Sequence, residues 1–253
     1  MNLEKNIGEN KYKHIYVFGC SHSLNTNSID MTCKSYSEHL ADKLNIPLQN
    51  VYNYSINGSS NTENLYYLNS LYSKLSFYHA GSSLRYQKFK SYLPTEIYDD
   101  SLIIFQLTYW HRTTFQHTFF KQNGHHLLVP FGPHRKFDNE PPFYDKDLNT
   151  FCDIFYDKLA NTNFLERNNV LPIYHTLKNI NNERNNVVPL LISWDRVSDT
   201  QFFEYIPKEL TNIQDFVTNE EWTCHFSLKN NDLHLSPTGY DKFSDYLLKY
   251  ITH

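Results

Sequence analysis

The stretch His14-Ile15-Tyr16-Val17-Phe18-Gly19-Cys20-Ser21-His22-Ser23 (HIYVFGCSHS) governs how the rest of the chain is read. Its first five residues are apolar, β-branched or aromatic after His14, and Gly19 closes the run, which is the pattern of a strand buried on both faces. The residues that follow are small and polar. Ser35-x-x-Glu38 then makes a capping box ahead of Tyr36, Leu40 and Leu44 at helical spacing, and Pro47 ends that helix. The chain therefore opens as strand, loop, helix.

The same unit recurs. Val51 to Ile56 (VYNYSI) reads as a second strand ending at Asn57-Gly58, and Leu65, Leu68, Leu71, Tyr72 and Leu75 follow at helical spacing. Residues 76–100, rich in Tyr and Ser, read as loop plus helix. Leu102 to Leu107 (LIIFQL) is the clearest strand, and Val187 to Ser193 (VVPLLIS) is the next. Between those two, residues from about 110 to 145 hold His, Gln, Phe and Pro without a period and read as a lid or insertion. A long helical pattern runs from about Asp147 to Ile180. Ser236-Pro237 starts a last helix with Tyr240, Phe243, Tyr246, Leu247 and Tyr250 on one side. Alternating strands and helices predict an α/β fold with a mostly parallel sheet covered on both faces. With no internal repeat and no linker, residues 1–253 are expected to form one domain.

Composition narrows the function. The chain has 253 residues, 40% hydrophobic and 20% charged, enough apolar surface for a sizeable core. Its 23 Lys and Arg against 27 Asp and Glu give a net charge of -4, and the charges are scattered. That is no footprint for phosphate-backbone binding, so no nucleic-acid partner is expected. Met1 to Tyr12 is polar, and no apolar run approaches the roughly 20 residues of a membrane span. A soluble, cytoplasmic protein is expected, and the scattered Cys20, Cys33, Cys152 and Cys224 fit reduced thiols better than a disulfide or zinc framework. The 7 Gly are few, so each is expected to have a backbone reason. The 20 Tyr and 18 Phe are read mostly as core.

Ligands of open α/β sheets bind beyond the carboxyl ends of the strands. Those ends read Gly19-Cys20-Ser21-His22, Asn57-Gly58-Ser59-Ser60-Asn61, Thr108-Tyr109-Trp110-His111-Arg112 and Trp194-Asp195-Arg196, and Asn231-Asp232-Leu233-His234 precedes the last helix. A Ser at a strand end, a late-loop His and a carboxylate are the parts of a nucleophile, base and orienter. A hydroxyl is a poor nucleophile until an imidazole takes its proton, and the imidazole needs a partner to fix its tautomer. Backbone N–H groups near Gly19 to Ser21 and Gly58 suit a developing oxyanion. His22, Asn61, Trp110 and Arg112 are candidates to line a substrate pocket. His111, His117, His125, His126 and His134 show no metal-ligand spacing, and no metal is expected.

These residues resemble the SGNH/GDSL hydrolases. FGCSHS at Phe18 to Ser23 resembles the family's first block, G-D-S after a strand. NYSINGSSN at Asn53 to Asn61 resembles the second, whose Gly lends its N–H to the oxyanion hole, and DLHLSPTGY at Asp232 to Tyr240 is similar to the last, which carries the catalytic His. The resemblance implies a three-layer αβα sandwich with a flavodoxin-like sheet, Ser21 as nucleophile and oxyanion donor, Gly58 as a second donor and His234 as general base. Three departures accompany it. Cys20 stands for the Asp of G-D-S and is itself a weighed alternative nucleophile. Gln106-Leu107-Thr108 stands where G-x-N supplies an Asn, leaving Thr108 as the donor there. In place of D-x-x-H, Asp232 lies two residues before His234 and Asn231 three. Asp232 is favoured as orienter because a carboxylate stabilises imidazolium, with Asn231 and Asp195 as alternatives.

The function expected is that of a serine esterase or O-deacetylase acting on a small or carbohydrate ester without a cofactor. The alternatives are a carbohydrate O-acetyltransferase that uses acetyl-CoA as acyl donor, and a non-catalytic binding module on the same fold.

Overall fold

A computed structural model describes residues 11–24, 33–56, 59–75, 94–108, 113–122, 125–131, 150–151, 153–155, 162–193, 210–212 and 234–251. Five strands, β1 (His14–Phe18), β2 (Val51–Asn53), β3 (Ser101–Leu107), β6 (Val188–Ser193) and β7 (Leu210–Asn212), form one parallel sheet in the order β2-β1-β3-β6-β7. β4 (Thr113–Gln122) and β5 (His125–Phe131) stand outside this sheet, and its five strands follow the 2-1-3-4-5 order of the flavodoxin-like arrangement. The order reverses between β1 and β3, and a crevice opens at such a switch point beyond the strand ends.

Alternate side chains of the central strands feed opposite faces, as the period of two requires. Tyr16 and Phe18 of β1 join Ile103 and Phe105 of β3 on one face, beneath α2 (Asn61–Tyr72) and α3 (Thr162–Glu183). Tyr67, Leu68 and Leu71 of α2 and Val170, Ile173, Leu177 and Ile180 of α3 complete that layer. Ile15, Val17, Leu102, Ile104, Leu190 and Ile192 point the other way, under α1 (Tyr36–Lys43) and α4 (Pro237–Ile251). Tyr36 and Leu40 of α1 and Tyr240, Phe243 and Leu247 of α4 are buried there. The result is the expected α/β architecture in three layers, αβα.

Helix starts follow their sequence signals. The Ser35 hydroxyl accepts from the Glu38 N–H and the Glu38 carboxylate accepts from the Ser35 N–H, so the capping box is formed at both ends. Ser60 caps α2 by accepting from the Glu63 N–H at 3.1 Å. Ser236 caps α4 ahead of Pro237, accepting from the Gly239 N–H at 3.1 Å. Lys43 then ties α1 to α4 through Asp241 at 2.6 Å and Asp245 at 2.8 Å.

Within the region from 110 to 145, read as a lid or insertion, β4 (Thr113–Gln122) and β5 (His125–Phe131) form an antiparallel pair that the sequence reading did not anticipate. The Asn123-Gly124 pair between two Thr-, Phe- and Val-containing runs is a hairpin signal, and the interspersed His and Gln hid the strand pattern. The sheet also has a fifth strand, β7, whose three residues are too few to register as a period. The expected helical pattern from about Asp147 to Ile180 is borne out where residues are described: 150–151 and 153–155 are helical and α3 runs from Thr162 to Glu183. Among the described residues no helix is long and apolar enough to cross a membrane.

Phe105 is fully buried at the centre of the sheet and stacks on Phe18 with ring centroids 5.9 Å apart. Phe105→Ala is expected to lower the unfolding free energy by about 3–5 kcal/mol, read as a drop in the urea midpoint.

Candidate active site

Among the described residues, a cluster of buried polar side chains lies at the carboxyl ends of β1, β2 and β3. Ser21, His22, Ser23, Ser59, Ser60, Asn61, Asn64, Gln106 and Thr108 are all buried. Buried polar groups must find partners, and here most find one another.

The turn that carries Ser21 is fixed first by its own backbone. Ser23 N–H and Leu24 N–H both donate to the Cys20 carbonyl, at 3.0 and 3.3 Å. The Gly19 carbonyl accepts from Ile56 N–H at 3.1 Å and from the Ser59 hydroxyl at 2.7 Å, so the chain after β2 holds the start of the turn. Asn53 Nδ2 donates to the Ser23 carbonyl at 2.8 Å and holds its far end.

Underneath lies a second support. Ser23 donates its hydroxyl proton to Gln106 Oε1 in a short hydrogen bond. A hydroxyl has one proton, so in the 2.7 Å pair between Ser23 and Tyr36 the phenol is the donor. Burial pushes the Tyr36 phenol well above its ordinary range, the Ser23 contact offsetting only part of that, and it stays protonated for this role. Gln106 Nε2 donates to Cys20 Sγ at 3.5 Å and to the Leu107 carbonyl at 3.3 Å. A carbonyl only accepts, so Leu107 fixes which end of the amide is nitrogen. Position 20 is a cysteine, and the polar side chain that reaches the turn comes from β3.

This arrangement explains Gly19. A Cβ there would lie 2.7 Å from Gln106 Oε1 and 2.7 Å from Ser23 Oγ, inside van der Waals contact. Only a residue without a side chain lets β1 end this close to Gln106.

Ser21 Oγ and His234 Nε2 stand 2.8 Å apart, although 213 positions separate them in sequence. The pair spans the molecule's connectivity: Ser21 follows β1, while His234 enters from the segment before α4, and the cap at Ser236 sets where that segment begins its helix. His22 lies beneath the imidazole, its ring stacked on that of His234 with centroids 4.4 Å apart and planes 22° apart. For His234 to accept the Ser21 proton its own proton must sit on Nδ1.

The other site candidates divide clearly. Asn61, expected to line a substrate pocket, is fully buried and uses both ends of its amide on Thr108: Oδ1 accepts from Thr108 N–H at 2.7 Å and Nδ2 donates to its carbonyl at 3.2 Å. It clamps the end of β3 to the start of α2. His22, expected at the substrate, is buried in the stack with His234. Cys20, weighed as a nucleophile, is 1% exposed with its sulfur against Gln106. Thr108 is buried and its hydroxyl makes no hydrogen bond among the described residues. Gly58, Trp110, Arg112, Asp195, Asn231 and Asp232 lie outside the described residues.

Gln106, Ser23 and Tyr36 had no assigned role in the sequence reading. The signal was present in SLIIFQL: a Gln inside a strand buried on both faces demands polar partners, and strand β3 ends beside strand β1.

A scan of family models gives no match to this chain, and a search of curated proteins returns none. Among solved structures, the crystal structure of protein YxiM from Bacillus subtilis is similar at a TM-score of 0.31 and 11% identity, covering 95% of this chain. The chain spans 42% of the length of that protein.

Gly19→Ala is expected to lower stability by about 1–3 kcal/mol, as overpacking does, and to slow any reaction of the Ser21 hydroxyl with a fluorophosphonate because the turn must shift. Urea unfolding and the rate of fluorophosphonate labelling measure the two effects; an unchanged labelling rate with lowered stability would separate the turn's position from its packing.

Proposed function

We propose that the protein is a serine-dependent acyl-transfer enzyme of SGNH type that cleaves a small or carbohydrate ester through an acyl-enzyme on Ser21. The observation that carries this reading is the 2.8 Å contact between Ser21 Oγ and His234 Nε2 at the switch point of the sheet. That distance is hydrogen-bond reach for proton transfer between nucleophile and base.

The steps balance as follows. Ser21 Oγ attacks the ester carbonyl carbon while its proton passes to His234 Nε2. The tetrahedral oxyanion collapses, the C–O bond to the alcohol breaks, and the alcohol leaves with the proton from His234. Water then attacks the acyl-enzyme, gives its proton to His234, and the acid departs as Ser21 is regenerated. Asp232 is proposed to hold Nδ1–H and stabilise the imidazolium, with Asn231 and Asp195 as competing orienters. The Ser21 N–H, Gly58 N–H and Thr108 hydroxyl are proposed as oxyanion donors. In support of Thr108, the parallel register that sets Phe18 opposite Phe105 brings the two strand ends together. Its buried hydroxyl also has a donor to offer. Trp110 and Arg112, which follow β3 in the sequence, are proposed to contact the substrate.

The nature of the acceptor separates hydrolysis from transfer to a sugar hydroxyl with acetyl-CoA as donor. Incubation with acetyl-CoA and an oligosaccharide, beside p-nitrophenyl acetate alone, compares the two acceptors. Sugar acetylation that far outpaces ester cleavage would assign the transferase chemistry.

Fluorophosphonate labelling is expected at Ser21 and is expected to vanish in Ser21→Ala; a folded wild-type protein that does not label would favour a binding module on this fold. His234→Ala is expected to lower kcat by about a thousandfold or more. Thr108→Val is expected to lower kcat by about a hundredfold to a thousandfold, in the manner of a lost oxyanion donor. It should leave stability unchanged, because the hydroxyl it removes has no partner to lose. Equal kcat in Thr108→Val and wild type would remove Thr108 from the mechanism.

A further inference from the structure

The residue after the proposed nucleophile is a histidine, His22. Its ring is buried, 5% exposed, and lies nearly parallel to the ring of His234 at a centroid distance of 4.4 Å. That spacing is face contact between two imidazoles. His234 Nε2 at the same time points to Ser21 Oγ. The base thus has a plane set by His22 and a direction set by Ser21, two residues adjacent in sequence on a turn that Gln106, Ser59 and Asn53 hold in place.

We propose that His22 is a positioning residue for the base: its ring face holds the His234 imidazole in line with Ser21 and favours the cationic form that exists while the acyl group is transferred. The proposal rests on the reading of Ser21 and His234 as nucleophile and base. A cation over an aromatic face in a desolvated site is attracted by the ring's quadrupole. The cation here appears only after His234 has taken the Ser21 proton, so the contact gains strength in the transition state and acts on kcat more than on KM.

The discriminating substitutions are His22→Phe, which keeps a flat aromatic face, and His22→Leu, which fills the space without one. Kinetics with p-nitrophenyl acetate and fluorophosphonate labelling are measured on both, with wild type and Ser21→Ala as references and Tm as a check on folding. His22→Leu is expected to lose roughly tenfold in kcat with KM unchanged, the size of a desolvated cation–π contact, while His22→Phe stays within about threefold of wild type. If His22→Leu does not fold, His22→Met makes the same comparison. Wild-type kcat in the folded Leu or Met variant overturns the proposal, since a packing role is then sufficient. So does a loss in Phe equal to that in Leu, or a rise in KM with kcat unchanged, which would make His22 a substrate contact. Labelling that persists in Ser21→Ala fails the nucleophile reading itself, and the proposal with it; loss of labelling in Ser21→Ala beside an unaffected His22→Leu fails the proposal alone.

Discussion

The close approach between the end of β1 and the amide of Gln106 is the constraint on which the site depends. Gly19 can have no side chain because Gln106 and Ser23 occupy the place it would take. Gln106 in turn can lie inside a strand buried on both faces because Ser23, Cys20 and Leu107 use its donors and acceptor. Removing any member leaves a buried polar group without a partner, a penalty larger than the net value of the hydrogen bond itself. The Ser21 turn is therefore held from below by β3 and from the side by the segment after β2, and it presents Ser21 to His234 without relying on an Asp at position 20.

The sheet explains why the parts meet there. Tyr16 and Phe18 bury one face and Ile15 and Val17 the other, so every residue of β1 after His14 is committed to packing. Chemistry is excluded from the strand and appears in the residues just past its end. The same holds for β3, where Thr108 follows the last strand residue. Because β1 and β3 are neighbours on either side of the order reversal, their connections leave to opposite faces, and the crevice between them is open to a segment arriving from elsewhere. The segment before α4 is the one that arrives, bringing His234.

Much of this was legible in the sequence. The apolar runs that became β1, β3 and β6 were readable because strands buried on both faces are continuous in hydrophobicity. The caps at Ser35 and Ser236 were readable because their hydrogen bonds are local. Ser21 and His234 were marked by position, each beside an element boundary. The hairpin at 113–131 was missed because polar residues interrupt its alternation, and β7 because three residues carry no period. Asn61 and His22 are both buried, which sequence does not reveal, because a polar side chain at a strand or turn end looks the same there whether it faces the crevice or the interior.

The sequence by itself determined the longer buried strands of the parallel sheet, the caps at Ser35 and Ser236, and the short polar patches among which the site must lie, since periodicity and capping depend on neighbours a few residues away. The tertiary structure decided which of those patches meet. The 2.8 Å contact of Ser21 with His234 across 213 positions, the support of the Ser21 turn by Gln106, and the closure of both ends of Asn61 on Thr108 are long-range facts. They arise only when parallel strands are placed side by side, and no local rule of spacing contains them.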